Sequence, residues 1–65
     1  MYRSGYYHTK MFVDNSEGSA EDKLADFLNH LGDVCRTDYQ DFQIKNISMS
    51  VDNGITNILL IWKYV

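Results

Sequence analysis

The chain has 65 residues, 45% hydrophobic and 14% aromatic, with a formal net charge of −3; that is room for one domain and one core, and too apolar for disorder at so low a charge. A single cysteine, Cys35, excludes an intramolecular disulfide and a cysteine-based zinc cluster, so the thin stability margin expected at this size points to self-association as the remedy. No apolar run approaches the roughly 18 residues of a membrane span, and Met1 to Gly5 lack the apolar core of a secretion signal, so the expected location is the cytoplasm.

Residues 1–5 are expected to be a flexible start. Residues 6–13, Tyr-Tyr-His-Thr-Lys-Met-Phe-Val, are rich in strand formers and alternate, with Tyr7, Thr9, Met11 and Val13 on one face and Tyr6, His8, Lys10 and Phe12 on the other. After a polar connector, Ser19-Ala-Glu-Asp22 reads as a helix start, because a serine oxygen accepts from a free helical N–H and Glu21 and Asp22 suit the positive end of the helix dipole. Ala20, Leu24, Phe27, Leu28 and Leu31 then fall on one helical stripe, and Gly32 is the expected stop, giving a helix over 19–31. Val34 and Cys35 would extend the same stripe by another turn.

From Phe42 the period changes to two, and a second strand is expected over 42–51. Its apolar parity switches between Ile44 and Ile47, which predicts a β-bulge near Lys45-Asn46. Asn53-Gly54 tolerates the two positive φ angles of a type I′ turn, so a third strand over 55–65 should return antiparallel to the second. That strand is apolar on both faces and belongs in the sheet centre. The expected fold is therefore a single α+β domain, β-α-β-β, with a three-stranded antiparallel sheet in order 1-3-2 and one helix covering one face.

The uncovered face, with Phe12, Leu59 and Ile61, is the first candidate interaction surface. Arg3, Tyr6, Tyr7 and His8 form a second, mildly basic and aromatic, suited to hot-spot contacts or base stacking. Glu21, Asp22 and Asp26 on the helix form a third, although acidic helix surfaces are ordinarily just solvated. Residues 14–41 hold eight acids against Lys23 and Arg36, a net of −6, which disfavours nucleic acid as a main partner. Asp26 and His30, four apart, are too few for a metal site, and no catalytic residue or cofactor is assigned. Cys35 beside Arg36, with His30 as a distant base, is one pattern for an activated thiol; a buried cysteine at a helix end is the more ordinary one.

Lys10-Met-Phe-Val-Asp14, Glu21-Asp-Lys-Leu-Ala-Asp-Phe-Leu-Asn-His-Leu31, Asp41-Phe-Gln-Ile44 and Ile58-Leu-Leu-Ile-Trp-Lys-Tyr64 follow one another in an order that resembles a family of very small sporulation-associated proteins of Gram-positive bacteria and their phages, controlled by the mother-cell sigma factor. The likeness covers about residues 10–65; the tyrosine-rich residues 1–9 and Asn53-Gly54 depart from it. The resemblance implies the fold and carries no activity onto particular residues. The expectation is a non-enzymatic protein-interaction module, a dimer or higher homo-oligomer that self-associates through the uncovered sheet face or the edge of the second strand. The competing readings are a phage-encoded inhibitor of a host defence or regulatory protein, and an oligomeric binder of a small nucleotide.

Overall fold

The computed structural model describes residues 3–65. Strand β1 (Tyr7–Val13) is followed by helix α1 (Ala20–Thr37), β2 (Phe42–Asp52) and β3 (Ile55–Tyr64). Both strand pairs are antiparallel and the sheet order is β1-β3-β2, so the chain is α+β with β-α-β-β connectivity, as its patterning predicts.

Turn chemistry sets the β2–β3 register. Asn53 and Gly54 take φ of 51° and 77°, the left-handed pair a type I′ hairpin needs, and this aligns Asp52 with Ile55. Further along, the register shifts between Ile44 and Asn46, which leaves Lys45 as the extra residue of the expected bulge and puts Ile44 and Ile47 on one face. The sequence predicts a flexible start over residues 1–5. Residues 1 and 2 lie outside the described residues, but Ser4 bridges to Tyr64 and Gly5 N–H donates to the Tyr64 carbonyl at 2.9 Å, continuing the edge of β3 beyond β1.

Ser19 caps α1, its Oγ accepting from Asp22 N–H at 3.1 Å. Asp14 clasps three elements together: its carboxylate accepts from Ala20 N–H at 2.6 Å and from Thr56 N–H at 3.1 Å, joining the end of β1 to the helix start and to β3. These two backbone donors hold the Asp14 carboxyl below its ordinary pKa. Lys23 Nζ donates to the Val13 carbonyl at 2.9 Å and adds a second tie between α1 and β1.

The helix does not stop at Gly32. It runs 18 residues, about 27 Å, because Leu31 and Cys35 stand four apart on the stripe and both bury, which outweighs the poor helix propensity of one glycine. Its actual end is a Schellman turn: Gln40 N–H donates to the Cys35 carbonyl at 2.8 Å, Tyr39 N–H to the Arg36 carbonyl at 3.4 Å, and Tyr39 holds the left-handed φ of 53° that glycine usually supplies. Nothing lies within 4 Å of where a Gly32 Cβ would sit. Gly32→Ala is therefore expected to stabilise the fold by about 0.5–1 kcal/mol, read as a higher urea midpoint at unchanged slope.

Phe12, Ala20, Leu31, Cys35, Ile58, Leu60, Trp62 and Tyr64 form the core, with Leu24, Phe27, Leu28 and Phe42 packed against it. One side of β3 supplies four of these residues at period two, so the helix lies on the face that carries Ile58, Leu60, Trp62 and Tyr64. Phe12 was expected on the opposite, uncovered face, and the register corrects this. It pairs with Ile58, is 4% exposed and meets Phe27 at 5.6 Å between ring centroids, whereas its neighbour Met11 pairs with Leu59 on the free face.

Candidate interaction surfaces

A helix about 10 Å wide laid on strands about 4.8 Å apart shields about two of them. Here α1 packs against β1 and β3, and β2 is left at the side. The helix therefore packs on one face, as expected, but over β1 and β3 more than over β2. The consequence is a row on the helix side of β2 that stays exposed beyond Phe42. Ile44 pairs with Trp62, Ile47 with Leu60, Met49 with Ile58 and Val51 with Thr56, so these four side chains share the core's face. Yet they are 39%, 46%, 63% and 65% exposed.

The reverse face of the sheet is less apolar than β3 alone suggests. Met11, Leu59 and Ile61 meet at its centre, Met11 exposed and the other two half-buried. Around them stand Thr9 and Tyr7 on β1, Asn57 and Lys63 on β3, and Gln43, Asn46, Ser48 and Ser50 along β2. Leu59 and Ile61 thus lie on the face away from the helix, half-buried in a small patch with a polar rim. Met11 completes that patch in the place expected for Phe12.

The second expected surface is not brought together. Arg3 stacks its guanidinium over the exposed Tyr6 ring at 4.8 Å, while Tyr7 lies on the free face with Lys63 Nζ over its ring at 5.9 Å. His8 is on the helix side, half-buried and stacked on Trp62 at 5.4 Å, with Tyr64 edge-on at 5.1 Å. Strand alternation separates Tyr7 from His8, so they do not form one aromatic platform. His8 Nε2 and Trp62 Nε1 are both buried without a hydrogen-bond partner among the described residues.

Glu21, Asp22 and Asp26 are exposed on α1, and Arg36 pairs with Asp33 one turn before it. Among the described residues no group of three or more His, Cys, Asp or Glu side chains could hold a metal ion. Cys35 is 4% exposed, and burial, together with the carboxylates of Asp41 and Asp38, pushes its thiol pKa up. An activated thiolate needs the opposite shift, so the ordinary reading of a buried cysteine holds. No helix among the described residues is long and apolar enough to cross a membrane.

The exposed row on β2 is the surface that sequence reasoning missed. The period of two from Phe42 onward is legible in the sequence, but whether the helix stands over its apolar side is not. Only the lateral placement of α1 shows that Ile44, Ile47, Met49 and Val51 are bare. No protein-family model, curated protein or solved structure matches the chain.

Proposed function

We propose that this chain is a small non-enzymatic interaction module that assembles with copies of itself through sheet surface its single helix does not reach. The observation that carries this reading is the row Ile44, Ile47, Met49 and Val51, apolar, on the core side of the sheet and exposed. A contiguous apolar surface of this kind marks a contact site, and a 65-residue chain gains from burying it. The Met11, Leu59 and Ile61 patch on the reverse face is the smaller second surface.

Light scattering at tens of micromolar on two double variants tests the reading. Ile47→Lys/Val51→Lys places charges in the β2 row, and Leu59→Glu/Ile61→Glu places them on the reverse face. The β2 variant is expected to drop to the monomer mass of 7.6 kDa while its buried Trp62 keeps a native fluorescence spectrum. If neither double variant changes the mass of the folded protein, the reading is wrong.

A further inference from the structure

Resting on that reading of self-association, we infer that two copies join edge to edge, the β2 strands pairing antiparallel about a twofold axis at Met49 to make a six-stranded sheet. The sheet has two outer strands, and they differ. β1 spans seven residues with Lys10 in its middle; β2 spans 11, and between Lys45 and Asp52 it carries six uncharged residues, Asn-Ile-Ser-Met-Ser-Val. Native edges are ordinarily protected by charge, shortness or a bulge. β2 has such protection only at the two ends of that stretch.

Those ends also fix the register. The bulge at Lys45 and the turn at Asn53-Gly54 bound a regular stretch from Asn46 to Asp52, and Met49 is its midpoint. Complete overlap of two such stretches, antiparallel, puts Met49 opposite the partner copy's Met49. Ile47 then faces Val51 of the second copy on the helix side, and Ser48 faces Ser50 on the other, so apolar meets apolar and polar meets polar. A shift by one residue would set the two faces against each other, and a shift by two either runs Val51 and Asp52 into the bulge or leaves Ile47 unpaired.

Charge agrees with this register. Asp52 falls opposite Asn46 of the second copy, next to its Lys45, and the twofold axis repeats the contact at the other end. Within one chain Lys45 and Asp52 lie seven residues apart along a strand, about 24 Å, beyond a Debye length at physiological salt. Any coupling between them is therefore intermolecular. Two seven-residue edges make a contact below the standard interface size, so the association should be a micromolar, reversible one.

Two experiments on the full chain test the pairing. In a Cys35→Ala background, Met49→Cys should form a disulfide-linked dimer on mild oxidation, because residues facing each other across an antiparallel pair have the Cα separation a disulfide accepts. Ile47→Cys alone should not, since its copies would stand about 14 Å apart along the strands. In low salt, Lys45→Asp and Asp52→Lys should each weaken dimerisation about tenfold, and the double charge swap should restore it. If the protein is dimeric but Met49→Cys stays uncrosslinked and the swap rescues nothing, the edge pairing is wrong and self-association stands on another surface. A protein that remains monomeric throughout overturns both.

Discussion

Leu60→Ala is expected to lower the urea midpoint of unfolding by about 2 M or more, or to leave the chain largely unfolded at room temperature. Leu60 is wholly buried at the centre of β3, between Lys10 on β1 and Ile47 on β2, and beneath the helix. Truncating such a leucine costs about 2–5 kcal/mol, the lost transfer energy plus the residual cavity. A domain of this length has about 3–10 kcal/mol in total at the usual stability per residue, and the urea slope of a small protein is about 1–3 kcal/mol per molar. One side chain thus carries about half the margin. Trp62, the only tryptophan and 6% exposed, reports the transition by its fluorescence. Leu59→Ala one position away, half-buried on the free face, should cost clearly less, and equal midpoints for the two variants would contradict the assignment of faces.

The second large effect separates Phe12 from Met11. Phe12→Ala is expected to cost about 3–5 kcal/mol, because its ring lies in the core against Phe27 with Lys10 Nζ over its face at 5.8 Å. Met11→Ala, 58% exposed on the opposite face, should change stability by no more than about 0.5 kcal/mol. Adjacent residues of one strand therefore differ several-fold in their effect on the urea midpoint. Comparable losses would mean that β1 is one residue out of the register that pairs Phe12 with Ile58.

Much of this fold was legible in the residues because local chemistry decided it. Ser19 announced the helix, Asn53-Gly54 announced the hairpin, and the parity switch from Ile44 to Ile47 announced a bulge that the β2–β3 register contains. The errors fell where tertiary context outweighs local preference. Gly32 looks like a helix stop, but Leu31 and Cys35 bury on either side of it and carry the helix on to Thr37, where Tyr39 takes the turn that glycine usually makes. Phe12 sits in a strand with aromatics on both faces, so composition could not choose its side; pairing with β3 did.

Candidate surfaces were harder to read than secondary structure, because they depend on where α1 lies across the sheet. Periodicity tells which side of β2 is apolar, and it is silent on whether a helix stands above that side. The proposed contact therefore combines a sequence property, uncharged alternation between Lys45 and Asp52, with a structural one, the absence of α1 over β2 beyond Phe42. The same two properties explain why the reverse face ranks second: its β2 column is Gln43, Asn46, Ser48 and Ser50, and polar side chains there leave Met11, Leu59 and Ile61 as an island.

Sedimentation equilibrium of the unmodified protein over a concentration series from one to several hundred micromolar tests the central claim most directly. The account predicts a mass that rises reversibly from 7.6 kDa to twice that value, with a midpoint in the micromolar range. A constant 7.6 kDa across the whole series would contradict it, for the bare row on β2 would then be stable in water without a second copy.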